Sequence, residues 1–428
     1  MRTDRFSGAS EDDQRHPFQR DHDRILYSSY FHRLAGVTQI VRAGEEDSFH
    51  TRQQHTHKVA QIGRRLAQNL VRKATSNGIA CPNIDPEVVA AASLAHDLGH
   101  PPFGHKGEYT LNRMLQDQGE EGYEGNAQTF RIITKLAVRF DDRPGLDLTR
   151  AVSCAVLKYP WLRDEGSRDK SKKWSAYRSE AQEFNWARAG QPTDRQSLEA
   201  ELMDWSDDIA YSVHDLEDFH RCNLIPWHKV LNDSEERERI ISQTISKWHE
   251  KPENAPQLLS DAFESLKEQL ALYGEVLQER YDGSYALRLG LRQMTSALVG
   301  NFILQTDLLS PPKIYVPPET RHSVLLLKTM ARDYIIANPA LAAQQKGQER
   351  IIRELFGMII EDTRWGVDGS HKLPDYLPKR MSYLTDFSKT VQRFAADCIS
   401  SLTEREATRL HSRLVGYEGG SVLDPIVR

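Results

Sequence analysis

Apolar residues recur at helical spacing along most of the chain. Val59, Ile62, Leu66 and Leu70 repeat every three or four residues, which predicts a helix with one buried stripe. Val88, Val89, Ala91, Ala92 and Leu94 predict a second helix. Asp85-Pro86 starts it, and Gly99 with Pro101-Pro102 ends it. Leu202, Trp205, Ile209, Val213 and Leu216 predict a third. Further helices are expected over 256–282, 284–307, 321–337, 348–361 and 385–415. Alternating, strand-like runs are scarce, and Lys313–Val316 is the best short candidate. Residues 163–195 are polar and predict a loop or insertion, and residues 1–20 predict a flexible start. No repeat and no linker interrupts the rest. The expected fold class is all-α, or mostly α, as one large domain over 21–428 with minor short strands.

Composition narrows the class without naming a chemistry. At 428 residues, length alone allows two or three domains. The 56 Lys and Arg against 61 Asp and Glu give a net charge of −5, which argues against a dedicated nucleic-acid coat but not against a local basic patch. No apolar run approaches the ~20 residues of a membrane span. The polar start does not resemble a secretory signal. Cys81, Cys154, Cys222 and Cys398 form no C-x-x-C pair and read as reduced thiols of a cytoplasmic protein. Histidine says more: His50, His55, His57, His96, His100 and His105 crowd one stretch.

At about 100° per residue, His55, Val59, Ile62 and Leu66 fall within about 60° of one another. His55 therefore shares the buried stripe, and the same arithmetic aligns His96 with Val89 and Ala92. Two such histidines, one followed by Asp97, suit ligands aimed into a shared interior. They equally suit core histidines bonded to backbone carbonyls. On the third helix, Asp207, Tyr211, His214, Asp215 and Asp218 share a face opposite the apolar set. That face is either solvated or offered to one ligand, and the wheel does not choose.

The order His55, His96-Asp97, Asp207 resembles the signature of the HD superfamily of metal-dependent phosphohydrolases. The surrounding blocks are narrower. RDHDRILYSSYFHRLAGVTQI (20–40), THKVAQIGR (56–64), HDLGHPPFGHKGE (96–108), EGNAQTFRI (124–132), LKYPW (157–161) and DDIAYSVHDLEDF (207–219) resemble deoxyguanosinetriphosphate triphosphohydrolase-like proteins. RFAADCISSLTEREA (393–407) does so more loosely. The resemblance implies a helical domain with its metal-binding core at about 50–220 and a C-terminal helical part at about 221–428. It implies a homo-oligomer, often a hexamer. The implied reaction is attack at the α-phosphorus of dGTP or another dNTP, giving deoxynucleoside and inorganic triphosphate.

The resemblance assigns His55, His96, Asp97 and Asp207 to a divalent metal. Mixed N/O ligation suits Mg²⁺, Mn²⁺, Fe²⁺ or Co²⁺. His105 and Glu108 become a proton-handling pair, a role suited to imidazole near neutral pH. His100 would line the same site. Arg52, Asn126, Lys158, Tyr159 and Lys173 match phosphate contacts, since no G-x-x-x-x-G-K-[ST] loop is present. Tyr211 would pack on the deoxyribose, Asp215 would accept from its 3′-OH, and Gln39 would lie near sugar and base. Arg33 would pair with an acid.

Gln53-Gln54 stands where the family commonly has Leu-Thr, His57-Lys58 where it often has Leu-Glu, and His32 where Arg is common. These departures leave the ligands intact but bear on base preference and on control by an activating dNTP or single-stranded DNA. Two rivals remain: an HD nucleotidase or phosphodiesterase acting on another ester, and a non-catalytic nucleotide-sensing or DNA-binding oligomer. A zinc-protease reading of His96 to His100 fails because Asp replaces the longer Glu and Pro101-Pro102 stops the helix.

Overall fold

The structure is a computed structural model that describes residues 1–9, 12–39, 50–78, 83–248, 251–310, 312–336, 339–366 and 370–419. Cys81 lies outside the described residues. The fold is mostly helical. Its sheet content among the described residues is two small antiparallel pairs, Asp307–Leu309 with Lys313–Tyr315 and Arg364–Trp365 with His371–Lys372.

The apolar stripes fold as their spacing predicts. The first becomes the helix Arg52–Ser76, with Val59, Ile62, Leu66 and Leu70 buried. The second becomes Pro86–Ala95, which starts on the expected proline and is buried along its length. The third becomes Leu198–Arg221. Side-chain caps set several starts: Ser28, Thr149 and Thr390 each accept a backbone N–H, and Thr403 forms a capping box with Glu406.

Three expectations need correction. The polar 163–195 segment contains the helix Ala181–Arg188, whose Phe184 and Ala187 are buried while Lys135 pairs with its Glu183. The run 385–415 is a 3₁₀ segment, Lys379–Phe387, followed by helices Val391–Ser400 and Glu404–Leu414, because Thr390 and Thr403 cap new starts. The run 256–282 divides into Ala255–Ala271 and Gly274–Gln278. Part of the polar start is also tied down: Arg5 is buried and donates to Asp21 at 2.8 Å.

The chain divides into two compact units. One holds Met1–His57, Glu87–Ala200 and Ala343–Arg428; the other holds Lys58–Pro86 and Glu201–Ala342. The first is knit by contacts between residues far apart in sequence. Arg131, within the helix Gly125–Arg131, donates to Asp397 at 2.8 Å and to Glu180 at 2.6 Å. Glu404 accepts from Thr38 N at 2.7 Å and Phe103 N at 3.0 Å. In the second unit, Trp205 Nε1 donates to Thr306 Oγ1 at 3.0 Å, and Lys73 Nζ reaches Leu304 O at 2.8 Å. No helix of the described residues is long and apolar enough to cross a membrane.

Candidate active site

His96-Asp97 opens a tight turn just past the helix Pro86–Ala95, so His96 lies one residue beyond the helix its wheel position assumed. Several groups hold that turn. Thr129 Oγ1 accepts from Gly99 N at 2.9 Å and donates to His96 O at 3.1 Å. Tyr123 OH donates to Gly99 O at 2.7 Å. A side chain at 99 would set its Cβ 2.1 Å from Gly125 O, so only glycine permits this approach. Arg33 Nη2 donates to Leu98 O at 2.9 Å and His100 O at 2.6 Å, and Nη1 reaches Leu402 O at 3.1 Å. These bonds are to carbonyls rather than to the acid expected from sequence.

His55 and His96 are both buried, with ring centroids 5.7 Å apart and ligand nitrogens within 4.8 Å. His96 Nδ1 lies 2.6 Å from Ser93 O. A carbonyl only accepts, so Nδ1 carries the proton and Nε2 presents a lone pair. Nε2 stands 3.5 Å from Asp97 Oδ2. Two imidazoles, one with its tautomer fixed, beside a buried carboxylate form a donor set that fits a divalent ion. Burial works against the charge of Asp97, but Arg52, His96 and His100 hold its carboxyl well below the ordinary range. His100 moves the other way: burial, then Arg52, lowers its imidazole to about 4, against the pull of Asp97. Its Nδ1 is 3.1 Å from Asp97 Oδ1. Arg52 Nη1 donates to Asp97 Oδ2 at 2.7 Å and Nε to Thr38 O at 3.2 Å, so its guanidinium is held in place by an ion pair with Asp97.

Pro101-Pro102 and the left-handed Phe103 (φ 67°) turn the chain into the helix Gly104–Asp117. That helix places His105 and Glu108 one turn apart. His105 Nδ1 is 2.9 Å from Glu108 Oε2, and His105, His100 and Glu108 form a compact group. His105 is 74% exposed and Glu108 is buried, so one end of the pair is wet and the other dry. Burial alone would raise Glu108, but its bond to His105 and the nearby Lys173 hold it well below the usual range.

Lys173 Nζ lies 3.1 Å from Glu108 Oε1 and 2.9 Å from Glu124 Oε1. Trp161 fixes its backbone, Nε1 donating to Lys173 O at 2.7 Å. Tyr159 belongs to the same knot, its N–H donating to Ser175 Oγ at 2.8 Å. Asn126 Nδ2 donates to Glu124 at 2.9 Å. Lys158 precedes Tyr159, and its carbonyl accepts from Gln196 at 2.9 Å. Gln39 is half-buried, at the end of the segment that Thr38 anchors. Asp207, Tyr211 and Asp215 stand on the helix Leu198–Arg221, in the second unit; Asp215 is buried, Asp207 and Tyr211 half-buried. His57, not assigned as a ligand, is exposed with its ring 5.1 Å from that of Phe31. Sequence reasoning missed Glu124, Glu404 and Trp161. For Glu124 a signal existed, an acid directly before a helix start.

Residues 52–212 match the HD domain, and residues 314–413 match a phosphohydrolase-associated domain. The chain is 34% identical over 424 residues to a deoxyguanosinetriphosphate triphosphohydrolase-like protein of Streptomyces coelicolor, covering 94% of this chain and 93% of that one. The chain belongs to the deoxyguanosinetriphosphate triphosphohydrolase-like family. Relatives of the same description occur in Corynebacterium glutamicum, 35% identical over 95% of this chain and 93% of theirs, and in Bifidobacterium longum, 33% identical over 93% and 82%. The chain is thus a phosphohydrolase of the HD family, and groups able to hold a metal are present in it.

Proposed function

We propose that the protein hydrolyses dGTP or another dNTP at the α-phosphorus, releasing deoxynucleoside and inorganic triphosphate. The observation that best supports this is the buried His55, His96 and Asp97 set followed, one turn of chain later, by His105 on Glu108. His55, His96, Asp97 and Asp207 are the residues that would hold a divalent ion, Mg²⁺ or Mn²⁺ in the first instance. Bound there, such an ion supplies Lewis acidity to a phosphate oxygen and acidity to a water.

The remaining chemistry belongs to side chains. A carboxylate only accepts, so Glu108 fixes the proton of His105 on Nδ1 and leaves Nε2 with the lone pair. Nε2 then takes a proton from the nucleophile or, once protonated, delivers one to the leaving oxygen. Arg52, Asn126, Lys158, Tyr159 and Lys173 carry the triphosphate, His100 lines its path, and Tyr211, Asp215 and Gln39 read the sugar and base. Assembly into a homo-oligomer, activation by a second dNTP and modulation by single-stranded DNA belong to this reading.

The test uses purified protein with Mn²⁺ or Mg²⁺ and each dNTP, alone and in pairs, scoring triphosphate against phosphate and pyrophosphate. Triphosphate release that a chelator stops, and that His96→Ala and Asp97→Ala abolish, is expected. Release of any other product, or turnover unchanged in both variants, overturns it.

A further inference from the structure

Glu124 is 1% exposed and immediately precedes the helix Gly125–Arg131. Its Oε2 caps that helix, accepting from Asn126 N at 2.6 Å and Ala127 N at 3.1 Å. Its Oε1 does something a cap does not require: it accepts from Asn126 Nδ2 and from Lys173 Nζ, both at 2.9 Å. Ser28, Thr149, Thr390 and Thr403 cap other helices with short side chains, the usual choice. The longer Glu adds reach, and the reach ends on Lys173. Lys173 also touches Glu108, whose other oxygen holds His105. Tyr177 OH donates to Glu124 O at 3.3 Å, and Trp161 pins the Lys173 backbone, so both ends of the contact are fixed.

We propose that Glu124 is a positioning residue for this active site: one buried carboxylate that orients Asn126 and Lys173 together and draws Lys173 partly off Glu108, leaving Glu108 free to orient His105. The proposal rests on the roles given above to Asn126, Lys173 and His105. Two carboxylates sharing one ammonium divide its charge. Without Glu124, Lys173 settles on Glu108 alone and competes with His105 for that carboxylate. The shared ammonium is stable as a cation: burial opposes its charge, but Glu124 and then Glu108 raise its pKa above the ordinary lysine value. Burial correspondingly pushes Glu124 up, against the pull of Lys173.

Two variants separate this role from capping. Glu124→Asp keeps a strong cap and its charge but is too short to hold Lys173. Glu124→Gln keeps the length and an acceptor for the cap but loses the charge. Both are expected to unfold near the wild-type temperature and to lose about tenfold or more in kcat for triphosphate release. In a Lys173→Met background, adding Glu124→Gln is expected to change kcat by less than about threefold, because the two act through one contact. Wild-type turnover in both single variants, or the same loss with and without Lys173, overturns the proposal. Crystal structures of the two variants give a readout independent of turnover: Lys173 Nζ is expected on Glu108 alone, with the Asn126 amide turned. An unmoved Lys173 and Asn126 in both also overturns it. Should the wild-type protein release triphosphate from no dNTP, the hydrolase reading falls, and these structures still decide whether Glu124 places Lys173.

Discussion

One seven-residue helix, Gly125–Arg131, carries an ion cluster at each end, and the two clusters differ instructively. At its last residue, Arg131 sits between Asp397 and Glu180, with all three side chains at most 1% exposed. All three guanidinium nitrogens are bonded, Nε and Nη2 to Asp397 and Nη1 to Glu180, and Nη2 also donates to Phe387 O at 2.7 Å. At the other end, Lys173 sits between Glu124 and Glu108, but its side chain is 42% exposed and the chain of bonds runs out to an exposed His105. The charge pattern is the same, a cation shared by two carboxylates. The rigid fork closes a structural joint, whereas the flexible point charge leaves an end open to a ligand. Burial of charge therefore does not mark the site; an incompletely enclosed cluster does.

Removing each cation breaks the comparison most directly. Arg131→Met leaves Asp397 and Glu180 buried without their partner, and stability is expected to fall by about 3–5 kcal/mol in urea unfolding. Turnover per folded molecule should persist. A stable Arg131→Met protein would show that the joint is dispensable. His105→Asn reverses the pattern. Triphosphate release should drop by about 100-fold or more, with the unfolding midpoint moving far less than in Arg131→Met because the ring is exposed. Equal turnover would remove His105 from the chemistry. Lys173→Met lies between the two. It should cost about 1–2 kcal/mol of stability, less than Arg131→Met because solvent reaches the site, and should lower turnover as well.

The subtlest difference is in acid. Glu108 is held below its ordinary 4.5, so its contribution is present above that pH and is lost as pH falls through the folded value. Burial raises Glu180 above 4.5 despite Arg131, so its contribution is full below 4.5 and declines as pH rises through the folded value. Denaturation of Glu108→Gln and Glu180→Gln between pH 3 and pH 7 should therefore shift the slope of stability against pH in opposite directions. Slopes that shift the same way would erase the distinction between the clusters.

Much of the site was legible along the chain because its chemistry is local in sequence. His96, Asp97, His100, His105 and Glu108 lie within one turn-and-helix segment, and the family resemblance of that segment implied the pairing of His105 with Glu108; the contact of His100 with Asp97 came only with the structure. The helix stripes were legible for the same reason, since periodicity is a nearest-neighbour property. The helix Ala181–Arg188 was not. Its anchor is Lys135 on Glu183, across a stretch no window spans. Nor was the bonding of Arg33, whose carbonyl partners belong to Leu98, His100 and Leu402.

The sequence by itself determined the helical class, the start set by Asp85-Pro86, the end set by Gly99 with Pro101-Pro102, and the family to which the ordered motifs belong. Only the tertiary structure decided which charges close and which stay open. Arg131, between Phe130 and Ile132, and Lys173, between Lys172 and Trp174, show none of their acidic partners beside them along the chain. One becomes a sealed joint because Asp397, far along the sequence, folds onto it, and the other stays half in water between Glu108 and Glu124. The reason is physical: the worth of a charge depends on what surrounds it, and those surroundings are assembled from residues that are neighbours only once the chain has folded.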